Sequence, residues 1–251
     1  SDRILAAAAC PVLTTGVHRP ADLRGEDLEL LAQGIRFTAV SGEERAAVSL
    51  PIPGKFTVYN ALTVMGIAKQ LGISLTDCAA ALKTASGVKG RVEVVPTPGK
   101  PYSILIDYAH TPDALVNVLD TIREILNSGN RSGRIITVVG AGGNRDRGKR
   151  PMMAREAAVR SDILVLTSDN PRFENPDAII EEMAAGLDPE MAEHTVCVTD
   201  RREAIRRACA DAVPGDVILI AGKGHETYQE VEGVRHHFDD REEVRDAFGC
   251  K

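Results

Sequence analysis

From about residue 103 to the end, short continuous apolar runs alternate with helical stretches, and this alternation constrains the fold more than any other feature. The runs lie at 103–106, 135–139, 163–166, 196–198 and 217–221. Between them the spacing of apolar residues predicts helices over 112–126, 151–160, 176–185 and 201–212. Apolar runs without polar alternation are strands buried on both faces. Strands that alternate with helices lie parallel, with helices covering the sheet. The expected class is therefore α/β, a Rossmann-like doubly wound and mostly parallel sheet. A last hairpin, 228–231 with 234–238 turning at Gly233, and a helix from Asp240 close the chain.

Upstream the pattern differs. Residues 1–50 read as short strands and loops, with 35–40 and 46–50 the better strands. Pro51, Pro53 and Gly54 break the pattern before helices at 58–71 and 75–84. The segment Pro96-Thr97-Pro98-Gly99-Lys100-Pro101 is the strongest linker or hairpin signal in the chain. We therefore expect two domains, 1–94 and 95–251, with the first incomplete, the back half of something larger. A start at Ser1 without Met fits truncation, and also fits the common removal of Met before Ser.

Composition narrows the functional classes. At 251 residues the chain accommodates one or two domains. A net charge of -6 argues against nucleic acid as the main partner, because phosphate binding needs a basic face. No run approaches the roughly 18 apolar residues of a membrane span, and the N-terminus is too short and wrongly flanked for a secretory signal. Cys10, Cys78, Cys197, Cys209 and Cys250 are odd in number and form no C-x-x-C pair, which predicts a reducing, cytoplasmic setting.

Ligands of an open parallel sheet bind beyond the carboxyl ends of its strands. Dense polar clusters follow the runs there: Asp107 to Asp113, Gly140 to Arg150, Ser168 to Arg172 and Gly222 to Glu226. Each has a plainer reading. Thr111-Pro112 is a good helix start, which leaves Asp107 and His110 unexplained. Asp169-Asn170-Pro171 suits a turn, but Arg172 has no turn role and its fork suits a carboxylate. Gly222 and Gly224 permit close approach to a ligand, and Glu226 suits an ammonium group. The Gly-rich segment fails as a P-loop, because Arg150 replaces the Ser or Thr, and fails as G-x-G-x-x-G at Arg145. Arg145, Arg147, Lys149 and Arg150 remain a candidate anion site, with a solvated basic loop as the alternative. Neighbouring strand residues point to opposite faces, so His236 and His237 do not share a metal ion. No metal ligands are expected. Asp240 with Glu243, and Asp200 with Glu203, read as helix caps.

With these residues in view, the chain resembles the Mur ligase family. The resembling motifs are Tyr59-Asn60-Ala61-Leu62, Gly90-Arg91-Val92-Glu93, Asp107 to Asp113, Gly142-Gly143-Asn144-Arg145-Asp146, Lys149-Arg150-Pro151, Asp169-Asn170-Pro171-Arg172 and Gly222-Lys223-Gly224-His225-Glu226. They run in family order from about residue 51 to the end. The resemblance implies a three-domain, monomeric cytoplasmic ligase of peptidoglycan synthesis, serving cell-wall biogenesis, cell shape and cell division. Residues 1–94 would close its central ATPase domain and 95–251 would form its amino-acid-binding domain. ATP with Mg²⁺ converts a carboxylate to an acyl phosphate, which the incoming amine attacks. The implied substrates are a UDP-N-acetylmuramoyl dipeptide and meso-diaminopimelate. Asn60, Arg91 and Asp107 would bind the nucleotide cofactor, with His110 beside it as the catalytic candidate. Arg145, Asp169, Asn170, Pro171, Arg172, Gly222 and Glu226 would bind diaminopimelate. The family's G-x-x-G-K-[ST] loop, its UDP-binding domain and its carbamylated lysine have no match here, so the chain alone is expected to be inactive. The alternatives are a non-catalytic nucleotide- or amino-acid-binding fragment and a folylpolyglutamate-synthetase-like ligase. A nicotinamide-cofactor enzyme is disfavoured by the failed glycine fingerprint.

Overall fold

The computed structural model describes residues 7–31, 34–128 and 133–248. Cys250 and most of the N-terminal stretch weighed as a signal lie outside these. The chain forms two compact units, Ser1–Ser86 and Gly87–Lys251.

In the first unit β1 (Thr15–Gly16), β2 (Leu23–Leu31), β3 (Gly34–Ser41) and β4 (Glu44–Leu50) form one sheet in that order, antiparallel except for β1 with β2. The helix Lys55–Gln70 carries Val58, Ala61, Leu62 and Met65, which share a core with Leu23, Phe37, Ala39 and Val48. The helix Leu75–Leu82 is capped by the Ser74 hydroxyl, which accepts from the Asp77 amide at 3.1 Å. β2 was not legible as a full strand. Its register shifts between Glu26 and Glu29, where Asp27 takes a φ of 54°, and this bulge breaks the alternation.

The second unit is a six-stranded sheet in the order β5 (Glu93–Val95), β6 (Ser103–Asp107), β10 (Val217–Ala221), β7 (Ile135–Val139), β8 (Ile163–Leu166), β9 (Thr195–Cys197). All neighbours are parallel except β5 with β6. Because β5 pairs with β6, the Pro-rich segment between them is a hairpin loop inside the second unit, and the division falls before residue 94. Thr97 closes that loop, its hydroxyl donating to the Tyr102 carbonyl at 3.0 Å.

The core follows strand pleating. Leu105, Ile135, Val139, Leu164, Leu166, Val217 and Leu219 face one side and pack with helices Pro112–Ser128, Lys149–Arg160 and Pro176–Ala184. Ile104, Ile106, Ile136, Val138, Val165, Ile218 and Ile220 face the other and pack with helices Arg201–Asp211 and Asp240–Ala247. From β6 to β9 the chain advances in one direction across the sheet, then steps back to β10. Right-handed crossovers make such a reversal put its helix on the opposite face, which is why Arg201–Asp211 lies there.

Asp200 caps Arg201–Asp211 as expected, accepting from the Arg202 and Glu203 amides. The last helix is capped by Asp239 rather than Asp240, since the Asp240 carboxylate is committed to Arg201. The short helix Pro189–Glu193 was not foreseen. β11 (Tyr228–Val231) and β12 (Val234–His237) form the expected hairpin, turning at Glu232 and Gly233 with φ of 49° and 79°. Among the described residues no helix is long and apolar enough to cross a membrane, and no group of three or more His, Cys, Asp or Glu stands arranged for a metal.

Candidate active-site cleft

Parallel pairing aligns the strand ends: Ala221 is in register with Asp107, and Val139 with Leu166. The loops after β6, β7, β8 and β10 therefore emerge at one edge and enclose a cleft of about 380 Å³. His110, Arg145, Asp169, Asn170, Arg172, Gly222 and Glu226 all line it, together with Tyr108, Lys149 and Tyr228. Of the residues expected to contact the amino acid, Pro171 alone is absent from the lining. It is buried, and its carbonyl lies where a Cβ on Gly143 would stand, at 1.9 Å. Glycine at 143 is thus what lets the β7 loop close onto the Asp-Asn-Pro-Arg turn.

The turn is tightly held. Asn170, 2% exposed, uses both ends of its amide. Its Oδ1 accepts from Lys223 Nζ and from the Glu230 amide, each at 3.0 Å, and its Nδ2 donates to Glu226 Oε2 at 2.8 Å. Arg172 sits in the left-handed region at φ 53°. Its amide donates to the Glu230 carbonyl at 2.9 Å and its carbonyl accepts from Glu232 at 2.6 Å, which stitches the turn to β11. Its Nη1 donates to the Gly143 carbonyl at 2.8 Å. Strain of this kind concentrates at functional sites, where the surroundings over-determine it.

The basic loop behaves differently from the anion site considered above. Arg150 is fully buried and grips Glu174 through both terminal nitrogens at 2.9 Å, with Glu182 at 2.7 Å. Arg147 also pairs with Glu182. These two guanidiniums are neutralised by carboxylates and brace the loop. Arg145 and Lys149 are the cations of this loop that line the cleft, and Lys149 donates to the His110 carbonyl at 2.9 Å. The Arg150 guanidinium and the Asn144 amide together hold the Glu174 carboxyl down to about 2.

At the end of β6, Asp107 is buried beneath the cleft rather than lining it. Its Oδ2 accepts from the Val92 amide at 2.7 Å. Burial pushes its carboxyl above the usual range, against the pull of the Val92 and Ala109 amides and of Arg91 and His110. Exposed Arg91 stands 5.3 Å from the Tyr108 ring centre, and the His110 ring stacks edge-on to the same tyrosine at 4.6 Å. His110 Nδ1 lies 2.7 Å from the Tyr108 carbonyl. A carbonyl only accepts, so Nδ1 carries the proton and Nε2 of the neutral ring has the free lone pair. Asn60 belongs to the first unit and is exposed on the helix Lys55–Gln70.

Sequence reasoning missed Tyr108 and Tyr228 as lining residues; an isolated tyrosine beside a strand carries no cleft signal. It named Lys223 in a motif without assigning it a task.

The comparisons agree with this geometry. Residues 90–224 match the family model described as Mur ligase, glutamate ligase domain. A UDP-N-acetylmuramoyl-L-alanyl-D-glutamate--2,6-diaminopimelate ligase of Parabacteroides distasonis is 50% identical over 95% of this chain and 48% of its own length. A protein of the same name from Bacteroides fragilis is 48% identical over 94% of this chain and 47% of its own. A solved structure of a ligase so named is similar with a TM-score of 0.74 at 39% identity, covering 95% of this chain and 47% of that one. The chain spans about half the length of the curated relatives it matches. Motifs of the second unit line one cleft, and the family model matches more than half of the residues: the chain belongs to the Mur ligase family.

Proposed function

We propose that this chain is the amino-acid-binding half of an ATP-dependent ligase of peptidoglycan synthesis, one that adds meso-diaminopimelate to UDP-N-acetylmuramoyl-L-alanyl-D-glutamate. One observation carries the reading: Arg172, Glu226, Asp169, Asn170, Arg145 and Gly222 line a single cleft. A molecule with an amino-acid group at each end needs paired cationic and anionic contacts, and this cleft offers both. The names of the relatives point to the same substrate.

In this reading Arg172 receives the distal carboxylate, and Asp169 and Glu226 receive an ammonium group. Asn170 orients Glu226, and the backbone at Gly222 lets the ligand approach closely. Pro171 shapes the turn from beneath. The work of these residues is positioning, which converts an encounter into a near-unimolecular step. Arg91 and Asp107, with Asn60 of the first unit, are assigned to the nucleotide. His110, with Nε2 free, stands beside it as the catalytic candidate. ATP, when bound, supplies the phosphoryl group that activates the acceptor carboxylate. The Mg²⁺ ligands are assigned mostly outside this half, and no step on this chain runs through the metal. Location in the cytoplasm and a monomeric state complete the proposal.

The test is calorimetric titration of the 251-residue chain with meso-diaminopimelate and with L-lysine. Lysine lacks the distal carboxylate and would leave Arg172 without its partner. Sites that lose a polar partner in this way discriminate by up to roughly 10⁴–10⁵. We expect measurable binding of diaminopimelate and none of lysine; equal affinities would refute the assignment.

A further inference from the structure

Lys223 is wholly buried, and nothing above gives it a task in the reaction. Its ammonium donates to Asn170 Oδ1 at 3.0 Å, stands 3.5 Å from Glu226 Oε2 and lies 5.6 Å from the Tyr228 ring centre. At the preceding Gly222, Asp169 Oδ2 lies 2.8 Å from where a Cβ would stand. A cation therefore sits beside the Glu226 carboxylate, and Asp169, held against the neighbouring Gly222, also pulls on it.

Arg145, Lys149 and Arg172 are also cations of this cleft, none of them buried as Lys223 is. Arg201 and Asp240 form a buried two-pronged pair at 2.8 and 2.9 Å, and Arg172 faces Glu230. Burial pushes the Lys223 ammonium below the usual lysine range, while Asp169 and Glu226 pull it back. A buried charge is costly to keep, and an apolar side chain of similar volume often serves stability as well. Packing alone gives no reason for lysine here.

We infer that Lys223 is a positioning residue: a buried countercharge to Glu226 and Asp169 that also holds the Asn170 amide with its N–H toward Glu226. Two carboxylates sharing a site take up a proton more readily when a cation beside them is removed. The inference rests on the amino-acid reading only for what those carboxylates grip.

The test uses Lys223→Met, which removes charge and donor, and Lys223→Gln, which removes the charge and keeps a donor. Thermal melts establish that each folds; should Lys223→Met fail, Lys223→Gln carries the charge test. Without ligand, carbon-13 NMR follows the carboxyl groups of the cleft through a pH titration. In both variants the cleft's protonation step moves up by about one pH unit or more, and the Asn170 side-chain amide signal moves in Lys223→Met while Lys223→Gln retains it. Titration of meso-diaminopimelate then shows a loss of affinity about threefold or more greater at pH 4.5 than at pH 8.5. An unchanged carboxyl titration in a folded variant, or an equal loss of affinity at both pH values, would overturn the inference. Should the unaltered chain not bind diaminopimelate at all, the amino-acid assignment fails, and the ligand-free titration still decides the role of Lys223.

Discussion

Arg172 holds a left-handed backbone that costs a non-glycine residue about 1–2 kcal/mol. Arg172→Gly would relieve that strain and lose the hydrogen bond to the Gly143 carbonyl. Net stability should stay within about 1 kcal/mol of the unaltered chain by urea unfolding, while the proposed preference for diaminopimelate over lysine is lost. A stability loss well beyond this would mean that the guanidinium is mainly structural. Gly143 makes the opposite case. A Cβ there would stand 1.9 Å from the Pro171 carbonyl, so Gly143→Ala must push the two loops apart. We expect a cost of about 1–3 kcal/mol in the same measurement; a neutral substitution would contradict the close packing described. At this scale the cleft lining was legible, because Arg, Asp and Glu directly after apolar strands have few purely structural duties. Burial was not. Lys223 between two glycines carries no burial signal, and Arg150 in a basic run reads as anion-binding; their partners lie in segments remote in sequence.

Two ion pairs decide how the elements stay together. Arg201 joins its own helix to the last helix through Asp240 and also donates to the Ala221 carbonyl at the end of β10. Both side chains are buried, so Arg201→Met strands a carboxylate and should cost about 3–5 kcal/mol in urea unfolding. A loss under about 1 kcal/mol would show that Asp240 finds other partners. Glu174 links the turn after β8 to Arg150 in the helix Lys149–Arg160. Its carboxyl is lowered from the ordinary glutamate value of 4.5 to about 2. A depressed carboxylate stabilises the fold above the unfolded value, and that contribution fades as pH falls from about 4.5 through about 2. Glu174→Gln should therefore flatten the acid limb of stability in that window, measured by urea unfolding across pH; an unaltered acid limb would contradict this. Strands and helices with plain periodicity were legible here. β2 was hidden by its charged residues and its bulge, and Pro189–Glu193 is too short to show a period.

Across the whole molecule, the strand order explains why distant motifs meet. β10, last of the parallel strands in sequence, inserts between β6 and β7, so Gly222 to Glu226 arrive between loops separated from them by much of the unit. The rule that ligands lie at strand carboxyl ends anticipated the edge but not the order of the strands along it. The division into units was misread for a related reason: a Pro-rich stretch marks a linker and a hairpin equally well, and only the pairing of β5 with β6 separates them. The central claim is that Arg172 and Glu226 grip opposite groups of one doubly ended amino acid. Its most direct test is a crystal structure of the chain with meso-diaminopimelate. The account predicts a ligand carboxylate on the Arg172 guanidinium and an ammonium on Glu226, each at about 3 Å. A ligand seated elsewhere, or one that leaves Arg172 untouched, would contradict it.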